Sequence, residues 1–376
     1  SMVTIQTRGS WIDDPVSRQP PEESLNMNDF STKHYFERLF TQFGRGWNRF
    51  WYTPGDPLPL SLIRVATGLL ALYFILTYTP DVSHFFAQDG LLPYELTELP
   101  QYTPDGQVYN PATLSYLSHL NTATELNVAH WIGVAILLLF TIGLFSRITA
   151  VLGLIVTLSY IHRGPMLTSE IEPVLAMIQF YLCLGPCGAR LSVDRVLALR
   201  AAQNKPASEK DPGEQKFFSA TLATRLIQVH LCLIVAMMGL AKLAGPGQLS
   251  AGPEWYDPWG TGEAVWWLLA RPQSGMFEAL GFLRDYPKLI AAWTHAIVLF
   301  ELAFPILVWN RLARPLMLGL ALVVWSSLAL ISGLWVMYAL LMVACLSFIE
   351  PTLLDRWFKK RSTVHSSLNP PVPQAT

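Results

Sequence analysis

The chain has 376 residues, 52% of them hydrophobic and only 14% charged, and its mean hydropathy of +0.33 excludes an ordinary water-soluble globular domain. A formal net charge of -1, with no nucleic-acid-binding motif, excludes nucleic acid as a partner. Cys183, Cys187, Cys232 and Cys345 all lie in apolar runs and read as small packing side chains, so neither a redox pair nor a metal is expected.

In chain order, residues 1–57 read as a polar cytoplasmic N-terminal segment without the basic and then apolar pattern of a cleavable signal peptide. About twenty apolar residues rising 1.5 Å each cross the hydrocarbon core. Runs of that kind extend from Leu60 to Tyr78, Val128 to Phe145, Leu222 to Leu243, Leu289 to Trp309 and Leu316 to Ile331. Shorter ones run from Ile148 to Ile161, Ile171 to Leu184 and Leu334 to Ile349. The expected fold class is therefore all-α, a polytopic membrane helix bundle of about eight spans with no large soluble domain. The transmembrane domain is expected over 58–350, split into two four-helix halves by a flexible polar connection at 200–216, with a cytoplasmic tail at 351–376.

Basic residues give the orientation, because Lys and Arg accumulate in short cytoplasmic loops. Asp81 to Glu125 holds no Lys or Arg. Arg190, Arg195, Arg200, Lys205, Lys210 and Lys216 follow the fourth run, Arg311 and Arg314 lie in the turn after the sixth, and Lys359-Lys360-Arg361 follows the last. Both termini are thus expected in the cytoplasm. The segment from Ala244 to Lys288 is expected outside, with Trp255, Tyr256, Trp259, Trp266 and Trp267 suited to an interfacial belt.

Ionisable side chains inside hydrocarbon cost kilocalories unless paired or hydrated, so they are where chemistry is sought. Arg64 and Arg147 lie near cytoplasmic ends and read as snorkelling side chains. His230 and Glu301 each lie about eight residues, or roughly 12 Å, from such an end, a common depth that permits a pair or a proton relay. A second group gathers toward the outer face: Lys242 ends the fifth run, Glu170 and Glu172 begin the fourth, His162 and Arg163 close the third and His295 lies in the sixth. Lys242, flanked by Gly239, Gly245 and Gly247, is the candidate base, because a desolvated amine loses its proton more readily. His84, His119 and His130 match no metal spacing and read as ordinary polar residues.

Gly239-Leu240-Ala241-Lys242-Leu243, Trp255 and Gly260-Thr261-Gly262-Glu263-Ala264 resemble the horizontally transferred transmembrane (HTTM) domain family, bacterial relatives of vitamin K-dependent gamma-carboxylase. Phe85-Phe86 with Asp89-Gly90-Leu91-Leu92-Pro93, Leu144-Phe145-Ser146-Arg147-Ile148, Ser192-Val193-Asp194-Arg195, and His295 with Glu301 support the likeness, which covers most of 58–350. The resemblance implies that Lys242 deprotonates a reduced quinone, vitamin K hydroquinone or menaquinol, with oxygen and carbon dioxide as co-substrates. It implies that His295, Glu170 and Glu172 shape the acid-base environment. Trp255, Tyr256, His230 and Glu301 are the expected cofactor-binding residues, and a peptide or small molecule is the acceptor.

The sequence departs from that family in two places. The large extramembrane domain of the carboxylase is not expected here, because about thirty residues follow the last expected span in this sequence. Where the family has an Asn-His pair, Glu170-Ile171 stands here, so quinol activation is implied without glutamate carboxylation. The expected setting is a bacterial inner membrane with the active side facing the periplasm. Two other readings stay open: a non-catalytic quinone- or lipid-binding membrane subunit, and a proton-coupled transporter using His230 and Glu301.

Overall fold

The computed structural model describes residues 32–93, 101–102, 108–109, 115–120, 122–164, 166–203, 216–244, 257–274, 276–354 and 356. The chain divides into two compact units, Ser1–Arg49 and Phe50–Thr376. Apart from a two-residue antiparallel ribbon that pairs Gln101–Tyr102 with Val108–Tyr109, the regular structure is helical.

Helix α1 spans Thr32–Tyr52, where the sequence reads only as a polar segment. Its polarity is an average over two faces. Phe36, Leu39, Phe40, Phe43 and Trp47 recur at helical spacing and are all exposed, and Arg38, Arg45 and Arg49 interleave with them. That is the pattern of an amphipathic helix rather than a loop.

The main unit is a bundle of α2 (Leu58–Leu76), α3 (Ala123–Ile142), α4 (Ser146–Arg163), α5 (Ile171–Leu184), α6 (Val193–Gln203), α7 (Phe218–Ala244), α8 (Pro287–Leu307), α9 (Arg314–Ser332) and α10 (Trp335–Cys345). Five of these, α2, α3, α7, α8 and α9, are long and apolar enough to cross a bilayer, as in an integral membrane protein. Helix α5 and the run from Trp335 to Phe348 are apolar but shorter. The expected halves are not separate bodies: α2 packs on α3, α5, α7 and α10, and α5 packs on α7. Because lipid is as apolar as a leucine side chain, the bundle is held chiefly by close packing and buried polar contacts.

Helix boundaries follow local chemistry. Thr122 and Glu125 form a reciprocal capping box that starts α3. Gly143, at φ +73°, ends it, and Phe145, at φ +49°, turns the chain into α4. The carboxylate of Asp194 on α6 accepts the backbone N–H of Phe145 at 2.8 Å and both the N–H and hydroxyl of Ser146 at 2.7 Å. These are donors that the first turn of α4 cannot satisfy internally. Hydrogen bonding to the Phe145–Ser146 turn outweighs the upward push of burial and holds the Asp194 carboxyl below its ordinary value of 3.8.

Arg64 corrects the snorkelling expectation. Its side chain is fully buried, and its Nη2 donates to the Leu191 carbonyl. The guanidinium lies so close to Gly143 that a Cβ there would collide with Nη1 and with Ser192 Cβ. At the opposite end of α4, Arg163 is also buried and donates to the carbonyls of Phe86 at 3.0 Å and Leu92 at 2.8 Å, with its charge 5.1 Å from the Phe86 ring. It fastens the segment after α2 to the bundle. His130 is buried between Tyr160, whose hydroxyl is 2.7 Å from Nδ1, and Thr79, 3.0 Å from Nε2. It joins α3, α4 and the segment after α2.

Candidate functional site

Helices α7 and α8 approach closely at a glycine. Gly239 offers no side chain, and a Cβ there would stand 3.2 Å from Glu301 Cβ and 3.3 Å from the Glu301 carbonyl carbon. On α8, Pro305 lacks the N–H that would bond to the carbonyl four residues earlier, that of Glu301. The same carboxylate-bearing residue therefore sits in a loosened turn and beneath a glycine.

One turn beyond Gly239, Lys242 reaches that carboxylate. Its Nζ is 2.6 Å from both Oε1 and Oε2 of Glu301. The lysine side chain is 13% exposed and the glutamate side chain 0%. A charge enclosed this way survives only by pairing. The sequence separates these residues by depth, with Lys242 in the outer group and Glu301 alongside His230, and the structure overturns that separation. Gly239 lies five residues from the end of α7 and Glu301 fourteen from the start of α8, about 7.5 Å against about 21 Å, so the helix ends are not level and counting from them misjudges depth.

His230 is paired elsewhere: its Nδ1 lies 2.8 Å from the hydroxyl of Tyr181 on α5. The expected His230–Glu301 pair is thus replaced by two separate pairs, Lys242–Glu301 and His230–Tyr181.

A cap from the α7–α8 connection completes the surroundings of Lys242. Asp257 accepts the N–H groups of Trp259 and Gly260 at 3.0 Å and starts the short helix Pro258–Thr261. This sets the Trp259 ring 4.8 Å from Lys242 Nζ. Trp259 is therefore a partner of the Lys242 ammonium. The same cap leans on α8: buried Thr294 donates to the Gly262 carbonyl at 2.9 Å, and His295 Nε2 lies 3.3 Å from the Gly260 carbonyl. His295 is exposed, and among the described residues its hydrogen-bonding contact is with this cap. Trp255 and Tyr256 lie outside the described residues.

The two acidic residues at the start of α5 have different situations. Glu172 is buried, and its Oε2 accepts the N–H of Ser169 at 2.8 Å and the Ser169 hydroxyl at 2.7 Å, which fixes the turn entering α5. Glu170 is exposed. Tyr338 of α10 is buried and feels the charges of both Glu301 and Glu170. Tyr338 was not singled out from sequence, where a tyrosine in an apolar run carries no distinguishing signal.

Chemically, the Lys242–Glu301 contact is short enough for a proton to pass between the two groups. Moving one proton across a 2.6 Å contact converts an ammonium–carboxylate pair into a free amine and a carboxylic acid, and only the amine can act as a base. Comparison with protein-family models, curated proteins and solved structures finds no match for the chain.

Proposed function

We propose that the chain is a membrane enzyme of the HTTM and gamma-carboxylase-like kind, in which Lys242 takes a proton from a lipid-soluble quinol and Glu301 receives it. The observation that carries this reading is the bidentate Lys242–Glu301 contact at 2.6 Å, enclosed and faced by an aromatic ring. An apolar ring substrate arriving from lipid suits a base with an indole beside it. The pairing adds a requirement to the family likeness: Lys242 becomes a base only when Glu301 takes its proton, so both residues are needed.

In this reading about eight helices cross the membrane, both termini face the cytoplasm, and the side without basic loops faces the periplasm of a bacterial inner membrane. Quinol and oxygen would be converted to quinone epoxide and water, a reaction balanced without carbon dioxide. Glutamate carboxylation is not part of the proposal, because Glu170-Ile171 stands where the family imidazole would be.

The test is to incubate purified protein with reduced menaquinone or vitamin K hydroquinone under air and to quantify epoxide by chromatography. Epoxide formation that is lost in both Lys242→Ala and Glu301→Gln is the expected result. Absence of turnover, or equal turnover in Lys242→Ala, overturns the reading.

A further inference from the structure

Far from Lys242, a cavity of about 450 Å³ opens between the first turns of α7, the turn joining α8 to α9 and the segment after α10. Arg225, Arg311 and Arg314 line it, together with Asp56 and Glu350. Its charge is unbalanced. Asp56 is already engaged by Arg190, whose Nη1 lies 3.1 and 3.0 Å from the two carboxylate oxygens. Glu350 stands 3.9 Å from Arg314 and is half exposed. Arg225 and Arg311 have no carboxylate partner among the described residues.

Arg225 is placed as a recognition group rather than as a solvated surface charge. Its guanidinium lies 4.4 Å from the Phe50 ring and 5.9 Å from the Trp309 ring. Its Nη1 donates to Gln228 Oε1 at 2.9 Å, and Gln228 is itself anchored on the Ser347 carbonyl at 2.6 Å. One N–H is therefore used within the protein, and the rest of the planar fork has no protein acceptor among the described residues. Arg314 is near enough to repel it. Two guanidinium groups held toward one cavity, one of them clamped by aromatic rings, form the arrangement that bidentate oxyanion binding uses.

We propose that this cavity binds a phosphate group, carried by an anionic phospholipid headgroup or present as the free ion. The anion would sit between Arg225 and Arg314, relieve their repulsion and take a further contact from Arg311. Leu312 and Leu316, 87% and 62% exposed beside these arginines, offer the apolar surface that acyl chains would cover. The inference is independent of the chemistry at Lys242.

Native mass spectrometry of the delipidated protein in neutral detergent tests it, with added phosphatidylglycerol, with diacylglycerol of the same acyl chains, and with inorganic phosphate as ligand and as competitor. Expected is retention of phosphatidylglycerol or phosphate but not diacylglycerol, weakened about tenfold in Arg225→Gln and in Arg311→Gln, as for loss of one charge-assisted contact. Arg311 lies in an exposed turn, so its variant keeps the test valid if Arg225→Gln fails to fold. Retention of phosphatidylglycerol undisturbed by phosphate identifies a lipid headgroup, and displacement by phosphate identifies the free ion. Retention of neither, equal retention of diacylglycerol, or unchanged affinity in Arg311→Gln overturns the proposal.

Discussion

Asp194 and Ser146 are joined twice: one carboxylate oxygen, Oδ2, accepts both the backbone N–H and the hydroxyl of Ser146 at 2.7 Å. The bond pair lets one helix cap another, since Asp194 lies on α6 and Ser146 opens α4. Its carboxyl is held below the ordinary value of 3.8 although burial alone would raise it. A depressed folded-state value means that the stabilisation is fully present above the unfolded value and is lost as pH falls through the folded one. The protein is therefore expected to lose stability as pH drops below the ordinary value of 3.8. In Asp194→Asn that part of the acid dependence should vanish, with about 1 kcal/mol less stability at neutral pH. Thermal unfolding in detergent between pH 3 and 7 checks this, and identical pH profiles for the two proteins would refute it.

Lys242 and Glu301 should behave as a unit. Removing either partner leaves a charge enclosed without compensation, so Lys242→Met or Glu301→Leu alone should each destabilise by about 3–5 kcal/mol. The double variant should cost less than either single one, because no unpaired charge remains. Denaturant unfolding of the three variants in micelles measures the coupling, and additive losses would show that the two residues do not depend on each other.

Gly143 tolerates no side chain. Its φ of +73° disfavours any L-residue, and a Cβ would strike the Arg64 guanidinium and Ser192. Gly143→Ala should lower stability by about 2 kcal/mol or more, above the usual cost of a surface substitution. A melting temperature unchanged from the parent protein would contradict the close approach of Arg64.

Arg163→Met should act locally. With the bonds to the Phe86 and Leu92 carbonyls removed, amide exchange over residues 87–93 should accelerate at least about tenfold, while the centre of α4 changes little, because local opening is governed by the contacts of that segment. Mass-spectrometric hydrogen exchange reads both regions in one experiment, and uniform acceleration would point instead to general destabilisation.

Helix positions were legible because an apolar run bounded by Gly, Pro or charge is nearly sufficient to specify a helix in lipid: helices appear at Leu58–Leu76, Ala123–Ile142, Phe218–Ala244, Pro287–Leu307 and Arg314–Ser332, as expected. Depth was not legible. Assigning Lys242 and Glu301 to different layers assumes level helix ends, whereas α8 is set so that the end of α7 meets its interior. Partner identity was also hidden, since Trp259, Tyr181 and Tyr338 resemble other aromatic residues in an aromatic-rich chain. Helix α1 was missed because its polar and apolar residues cancel in any average over the segment.

The distance in sequence between Lys242 and Glu301 bears on how the protein is made. The two are 59 positions apart, so at about 5–20 residues per second the ribosome delivers the acid roughly 3–12 s after the base. Until then an ammonium near the end of an apolar helix has no counter-ion, a burden of about 2.5–3.5 kcal/mol on the insertion scale if it enters the core. A nascent chain halted before α8 therefore carries a lysine without its carboxylate. Closure of the pair requires α7 and α8 to meet in register, and a slip of α8 by one helical turn would carry Glu301 about 5.4 Å away from Lys242.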